Sequence, residues 1–123
     1  MAARTTVRIK RVYDPPAKTD GLRILVDRLW PRGLSRAAAA LDDWMPEVAP
    51  SAALRTWFGH DPARWTAFQQ RYRRELAANP DAVRALAARI RGHRATLLFG
   101  AKDVERNQAV VVRDYLMKDG VSR

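Results

Sequence analysis

The chain has no cysteine, only two histidines (His60 and His93), and thirteen acidic residues against twenty-three basic ones in 123 positions. Without cysteine there is no disulfide, no thiol nucleophile and no thiolate-ligated metal, and phosphatase or sulfurtransferase chemistry through a cysteine loop is excluded. Two histidines do not build a histidine-rich metal site, so neither metal nor cofactor is expected. No apolar run reaches membrane-spanning length, and the basic N-terminus is not followed by the apolar stretch of a signal peptide. A glycine-rich phosphate loop, a Gly-x-Ser-x-Gly elbow and a His-Glu-x-x-His zinc helix are all missing. The expectation is one cytoplasmic domain spanning residues 1–123, because this length supports a single core and not two.

What the chain does have is positive charge, net +10, unevenly spread. Residues 1–36 carry nine Lys/Arg and three Asp, residues 37–63 one Arg and four acids, and residues 64–94 eight Arg and two acids. Such a surface favours polyanions: nucleic acid, nucleotides or other phosphorylated molecules. The competing explanation is compositional, with arginine replacing lysine on solvated faces.

Hydrophobic periodicity outlines an α/β domain. Val7 and Ile9 alternate with Arg8 and Lys10, a half-exposed strand stopped by Asp14-Pro15-Pro16. Asp20-Gly21 turns the chain into a second strand, about Leu22 to Asp27. Ser35 and Ser51 cap short helices, and Asp61-Pro62 and Asn79-Pro80 start two longer ones. Trp65, Phe68, Tyr72 and Leu76 share one face of the first, while Val83, Leu86, Ala87 and Ile90 form the stripe of the second, closed by Gly92. Thr96-Leu97-Leu98-Phe99 is a third, fully apolar and therefore central strand. A last helix, capped by Asp103, is expected from Val104 to Met117 despite the β-branched run Val110-Val111-Val112. The architecture is a small, mostly parallel sheet of about three strands packed by four or five helices.

Function is sought first in Asp27-Arg28-Leu29-Trp30-Pro31-Arg32-Gly33, where a buried strand ends in a carboxylate, two guanidiniums and an indole. A helical crossover makes strands two and three parallel, which brings Asp27-Arg28 and Ala101-Lys102-Asp103 to the same sheet edge, where open α/β folds bind ligands. With a lid from Trp57-Phe58-Gly59-His60-Asp61, the expected pocket combines Asp27, Arg28, Trp30, Arg32, His60, Lys102, Asp103 and Asn107. Arg28, Arg32 and Lys102 would neutralise phosphate or carboxylate, Trp30 would stack on a planar group, and Asp27, His60 and Asn107 would orient it. The bracketing cations should keep Asp27 and Asp103 ionised, which disfavours a paired-carboxylate hydrolase. For each residue a purely structural role stands beside this one, and Tyr13-Asp14-Pro15-Pro16 is read only as a strand terminator. Two further functions stay open: catalysis in the same pocket with His60 or Asp103 as base, and DNA or RNA binding along the basic strip of residues 64–94 through Arg64, Arg71 and Arg74. Oligomeric state is not legible.

Lys10-Arg11-Val12-Tyr13-Asp14, the Asp27–Gly33 run, Ala49-Pro50-Ser51, Trp57-Phe58-Gly59-His60-Asp61-Pro62, Arg71-Tyr72 and Ala101-Lys102-Asp103 together resemble the YeaO-like family of small bacterial proteins, classed as a domain of unknown function. The resemblance covers nearly the whole chain. It implies a compact α/β fold in a cytoplasmic bacterial protein and supplies no reaction. Members typically read Asn-His-Ala where this chain has Asn107-Gln108-Ala109, so the resemblance implies that a histidine there is not an obligatory catalyst.

Overall fold

The computed structural model describes residues 4–119. Four parallel strands, β1 (Thr6–Arg11), β2 (Leu22–Leu25), β3 (Asp43–Trp44) and β4 (Arg94–Phe99), form one sheet in the order β1-β4-β2-β3. Five helices accompany them: α1 (Arg36–Ala39), α2 (Ala52–Phe58), α3 (Trp65–Ala77), α4 (Pro80–Ile90) and α5 (Gln108–Asp119). The α/β class and the central apolar strand are as expected. The fourth strand is additional: only two residues long, β3 pairs Asp43 with Ile24 and Trp44 with Leu25.

Period-two alternation sorts the strand residues between two cores. Val7, Ile9, Ile24, Val26, Ala95, Leu97 and Phe99 face one side, against Leu54, Phe58, Phe68, Tyr72, Leu76, Leu86, Ile90, Val112 and Leu116 of α2–α5. Fully burying each large side chain of this set contributes about 1.5–3 kcal/mol. Val12, Leu25 and Leu98 face the other side, under Ala39, Trp30, Leu34 and Trp44. The second face also carries ions. Asp20, 2% exposed, accepts from Arg23 Nη1 (2.5 Å), Lys10 Nζ (3.2 Å) and Ala17 N (2.9 Å), and its backbone carbonyl accepts from Thr96 Oγ1 (2.7 Å). Arg23 continues to the carbonyls of Ala39 and Ala40, so the α1 C-terminus is tied to the sheet through a buried guanidinium.

Ser35 and Ser51 cap α1 and α2 through the amides of Ala38 and Leu54, as expected. Asp61 accepts from Ala63 N and begins a single 3-10 turn that leads into α3. Two expected caps are corrected. Asn79 precedes α4 but gives its side chain to Glu47 O (3.0 Å). The last helix begins at Gln108 and not Val104, because Asp103 Oδ1 closes a tight turn on Glu105 N and Arg106 N, and Asn107 Oδ1 then accepts from Val110 N.

Ala40 ends α1 in the left-handed region (φ 48°), where a Cβ costs about 1–2 kcal/mol and glycine does not. Ala40→Gly should therefore stabilise the protein by about 1 kcal/mol, read as a higher urea midpoint at unchanged slope.

Candidate functional site

The C-terminal ends of β1, β4 and β2 open into a cleft of about 280 Å³. Tyr13 follows β1, Gly100 and Ala101 follow β4, and the 27–32 segment follows β2; the end of α2, His60 and the start of α5 complete the lining. Of the residues expected from sequence, Asp27, Arg28, Trp30, Arg32, His60 and Asn107 line it.

Lys102 and Asp103 are not part of the lining. The turn that Asp103 makes with Glu105 N and Arg106 N, with Arg106 Nη1 at 3.4 Å, occupies its carboxylate locally. The Glu105 amide foremost, with Arg106, holds that carboxyl below its ordinary range, a poor condition for a general base. Asn107 is buried and caps α5, its Nδ2 donating to Asp103 O (2.9 Å), so both ends of its amide are used inside the protein.

Asp27 joins the elements around the cleft. Its Oδ2 accepts from Gly100 N (2.9 Å), its Oδ1 from Gln108 Nε2, and its backbone carbonyl from Trp44 Nε1 (2.7 Å). Gly100 permits this approach, since a Cβ there would stand 2.9 Å from Asp27 Oδ2. A neighbouring cation, Arg55, favours the ionised form of Asp27 as expected, but burial works against it. Burial pushes its pKa up to about 6, only partly opposed by Gly100 N, Arg55 and Gln108. The reason is that adjacent Arg28 turns away, donating from Nε to Pro50 O (3.1 Å) and from Nη2 to Ala49 O (3.2 Å).

Those bonds belong to a larger arrangement. Four successive carbonyls are held by side chains: Glu47 by Asn79, Val48 by Tyr72 Oη, and Ala49 and Pro50 by Arg28. Ser51 then donates from N and Oγ to the two Glu75 oxygens (2.8 and 2.6 Å) while capping α2. Burial foremost, with Glu75 nearby, pushes the Tyr72 hydroxyl well above its ordinary range, so it stays a donor. Ala49 and Pro50 of this pinned segment line the cleft, and Ser51 sets the start of the helix that carries Arg55 and Phe58.

The mouth is different. Arg32 and Arg55 are exposed cleft residues whose guanidiniums have no hydrogen-bond partner among the described residues, and the same holds for the His60 imidazole. His60 follows Gly59 in a left-handed backbone (φ 58°), an uncommon state for a residue with a Cβ, and its ring lies 6.1 Å from Phe58. Phe58 stacks on Phe68 at 4.3 Å to form an aromatic wall. Trp30 is largely tied down: Nε1 donates to Leu34 O (2.6 Å), its edge meets Trp44, and Arg36 covers the ring at 4.6 Å. Tyr13, expected only to end a strand, lines the cleft and donates to Arg32 O (2.8 Å).

Sequence reasoning missed Arg55, Gln108 and Tyr13 because only the fold brings them to the same cleft as Asp27. The basic strip of α3 is also partly occupied: Arg64 and Arg71 both stack on Trp57, at 5.2 and 4.0 Å from its ring centre. Among the described residues no group of three or more His, Asp or Glu is arranged to hold a metal ion, and no helix is long and apolar enough to cross a membrane.

A parallel α/β domain with a cleft at its carboxyl edge defines a class shared by many activities. The chain belongs to the YeaO-like DUF488 family: the profile described as "Inactive DUF488-N3 subclade" matches residues 6–121. It is 42% identical over 110 residues to the uncharacterised protein YeaO of Escherichia coli, covering 89% of this chain and 96% of that one. Uncharacterised proteins of Mycobacterium tuberculosis and Mycobacterium bovis are each 36% identical over 117 residues, 94% of this chain and 98% of theirs. No solved structure matches the chain.

Proposed function

We propose that this protein binds a small planar anion in the cleft at the carboxyl edge of its sheet. The observation that carries the reading is the presence of two guanidiniums without a hydrogen-bond partner among the described residues, Arg32 and Arg55, on a cleft walled by Phe58 and Phe68. Arginine presents a donor fork suited to phosphate or carboxylate, and the aromatic wall suits a flat ring. Arg55 takes the place first assigned to Lys102, and Arg28 shapes the wall. A volume of about 280 Å³ lies near the lower end of the range for small-molecule sites, room for one ring system and its anionic substituent. The family description as inactive supports binding over turnover, as does the local engagement of Asp103.

Isothermal titration of the full chain with guanosine monophosphate, adenosine monophosphate and pterin-6-carboxylate should give saturable binding for at least one of them. Arg32→Ala/Arg55→Ala should weaken it at least tenfold with an unchanged circular dichroism spectrum, while Lys102→Ala should leave it as it is. Equal affinity in the double variant, or no binding of any of the three, overturns the reading.

A further inference from the structure

Cations stand at the mouth of the cleft, and its floor has the opposite character. Asp27 takes one hydrogen bond on each carboxylate oxygen, from Gly100 N and from Gln108 Nε2, and each oxygen keeps a second lone-pair direction. An ionised carboxylate only accepts, so Asp27 fixes which way the Gln108 amide points. Gln108 Oε1 is thereby left as a second acceptor, with no donor to it among the described residues.

Apart from Arg32, Arg55 and His60, the side-chain donors around this floor are already engaged. Tyr13 Oη donates to Arg32 O, Trp30 Nε1 to Leu34 O, Asn107 Nδ2 to Asp103 O, and Arg28 to the carbonyls of Ala49 and Pro50. Asp27 and Gln108 Oε1 thus leave acceptor positions beside the Phe58–Phe68 wall, with Arg55 as the nearby cation, and what these acceptors complement is a flat edge of donors.

From this juxtaposition we infer that the ring bound here carries the 2-amino-4-oxo edge of guanine and pterins, its N–H and NH2 donating side by side to Asp27 and its anionic substituent lying at Arg32 and Arg55. The inference rests on the anion-site reading of the same cleft and adds the identity of the ring. Two adjacent donors on a planar edge match the two oxygens of one carboxylate in the fork geometry that arginine also uses. Adenine offers an acceptor nitrogen next to its amine, which would set a lone pair against the carboxylate. A site of acceptors discriminates strongly against such an edge, because mismatch leaves buried polar groups unpaired.

The test titrates the full chain at pH 7.5 with guanosine monophosphate, pterin-6-carboxylate and adenosine monophosphate, in wild type, Asp27→Asn and Arg32→Ala/Arg55→Ala. At least one of the two 2-amino-4-oxo compounds should bind ten or more times tighter than adenosine monophosphate, and whichever binds tighter identifies a mononucleotide or a pterin. Asp27→Asn replaces an acceptor with a mixed amide and should erase that preference while the protein stays folded. Equal affinity for the adenine compound, or a preference that survives Asp27→Asn, overturns the inference; continued loss of binding in the arginine double variant would then leave the anion site standing. Absence of binding by all three compounds overturns both.

Discussion

Asp27→Asn should make the protein about 2 kcal/mol more stable at pH 7.5, and should make it no more stable at pH 4. An unfolded aspartate titrates near the model value of 3.8, whereas burial raises Asp27 to about 6 in the folded protein. Well below pH 3.8 both states are protonated and the group is neutral towards folding. Between about pH 4 and pH 6 the folded state holds more protons than the unfolded one, so this residue's contribution to stability falls as pH rises. Above pH 6 the penalty is complete, about 3 kcal/mol for roughly two pKa units at 1.36 kcal/mol each.

Asparagine removes that penalty. Its Oδ1 still accepts from Gly100 N, and its Nδ2 donates to the Gln108 carbonyl once that amide turns over. The attraction of Arg55 is lost, which reduces the expected gain. Arg55, Gln108, Gly100 and, through Tyr72, the pinned 47–51 segment are the groups facing this carboxylate, and the variant leaves them in place. Chemical denaturation of variant and wild type at pH 4, 5, 6 and 7.5 reads the result directly. A constant difference across that range contradicts it.

The opposite carboxylate gives the largest loss. Asp20→Ala should destabilise the protein by about 3–5 kcal/mol, since it removes the partner of a buried guanidinium and leaves that charge uncompensated. Arg23 is only 5% exposed, and without Asp20 it retains the carbonyls of Ala39 and Ala40. Burial pushes the Asp20 carboxyl up, but the Ala17 amide, Lys10 and Arg23 together outweigh it and hold the pKa below the usual value. The sign is therefore the reverse of that at Asp27. Asp20 contributes stability above the unfolded pKa and loses it as pH falls through its lowered folded value. Thermal and urea melts at pH 7 measure the loss, and a change under 1 kcal/mol would contradict it.

The two carboxylates also mark what a sequence discloses and what it does not. Alternation of Val7 and Ile9 with Arg8 and Lys10 sorts the faces of β1, and the apolar run at Thr96–Phe99 announces a central strand, because both patterns are local. Asp43-Trp44 has no such pattern. It is a strand only because β2 offers Arg23 O to Asp42 N and Leu25 O to Met45 N. The position of Asp27, Arg28, Arg32 and His60 around one cleft follows from parallel topology, which the crossover helices made legible. Their partners did not follow. Arg28 meets carbonyls more than twenty residues away, and Gln108 reaches Asp27 across 81 positions. Lys102 and Asp103 sit next to the right strand but outside the cleft, since a two-amide turn at Asp103 engages that carboxylate at once. Ala49-Pro50-Ser51, part of the family resemblance, acquires a physical reason: Ala49 and Pro50 are pinned by Arg28 against the cleft, and Ser51 caps α2.

The central claim, an anion seated at the carboxyl edge of the sheet, is tested most directly by amide chemical-shift mapping. A titration of the isotope-labelled chain with guanosine monophosphate should shift the amides of Asp27–Gly33, Arg55–His60 and Gly100–Gln108 with one common saturation curve, and leave those of α4 unmoved. Shifts confined to the arginines of α3, or none at the sheet edge, would contradict the account.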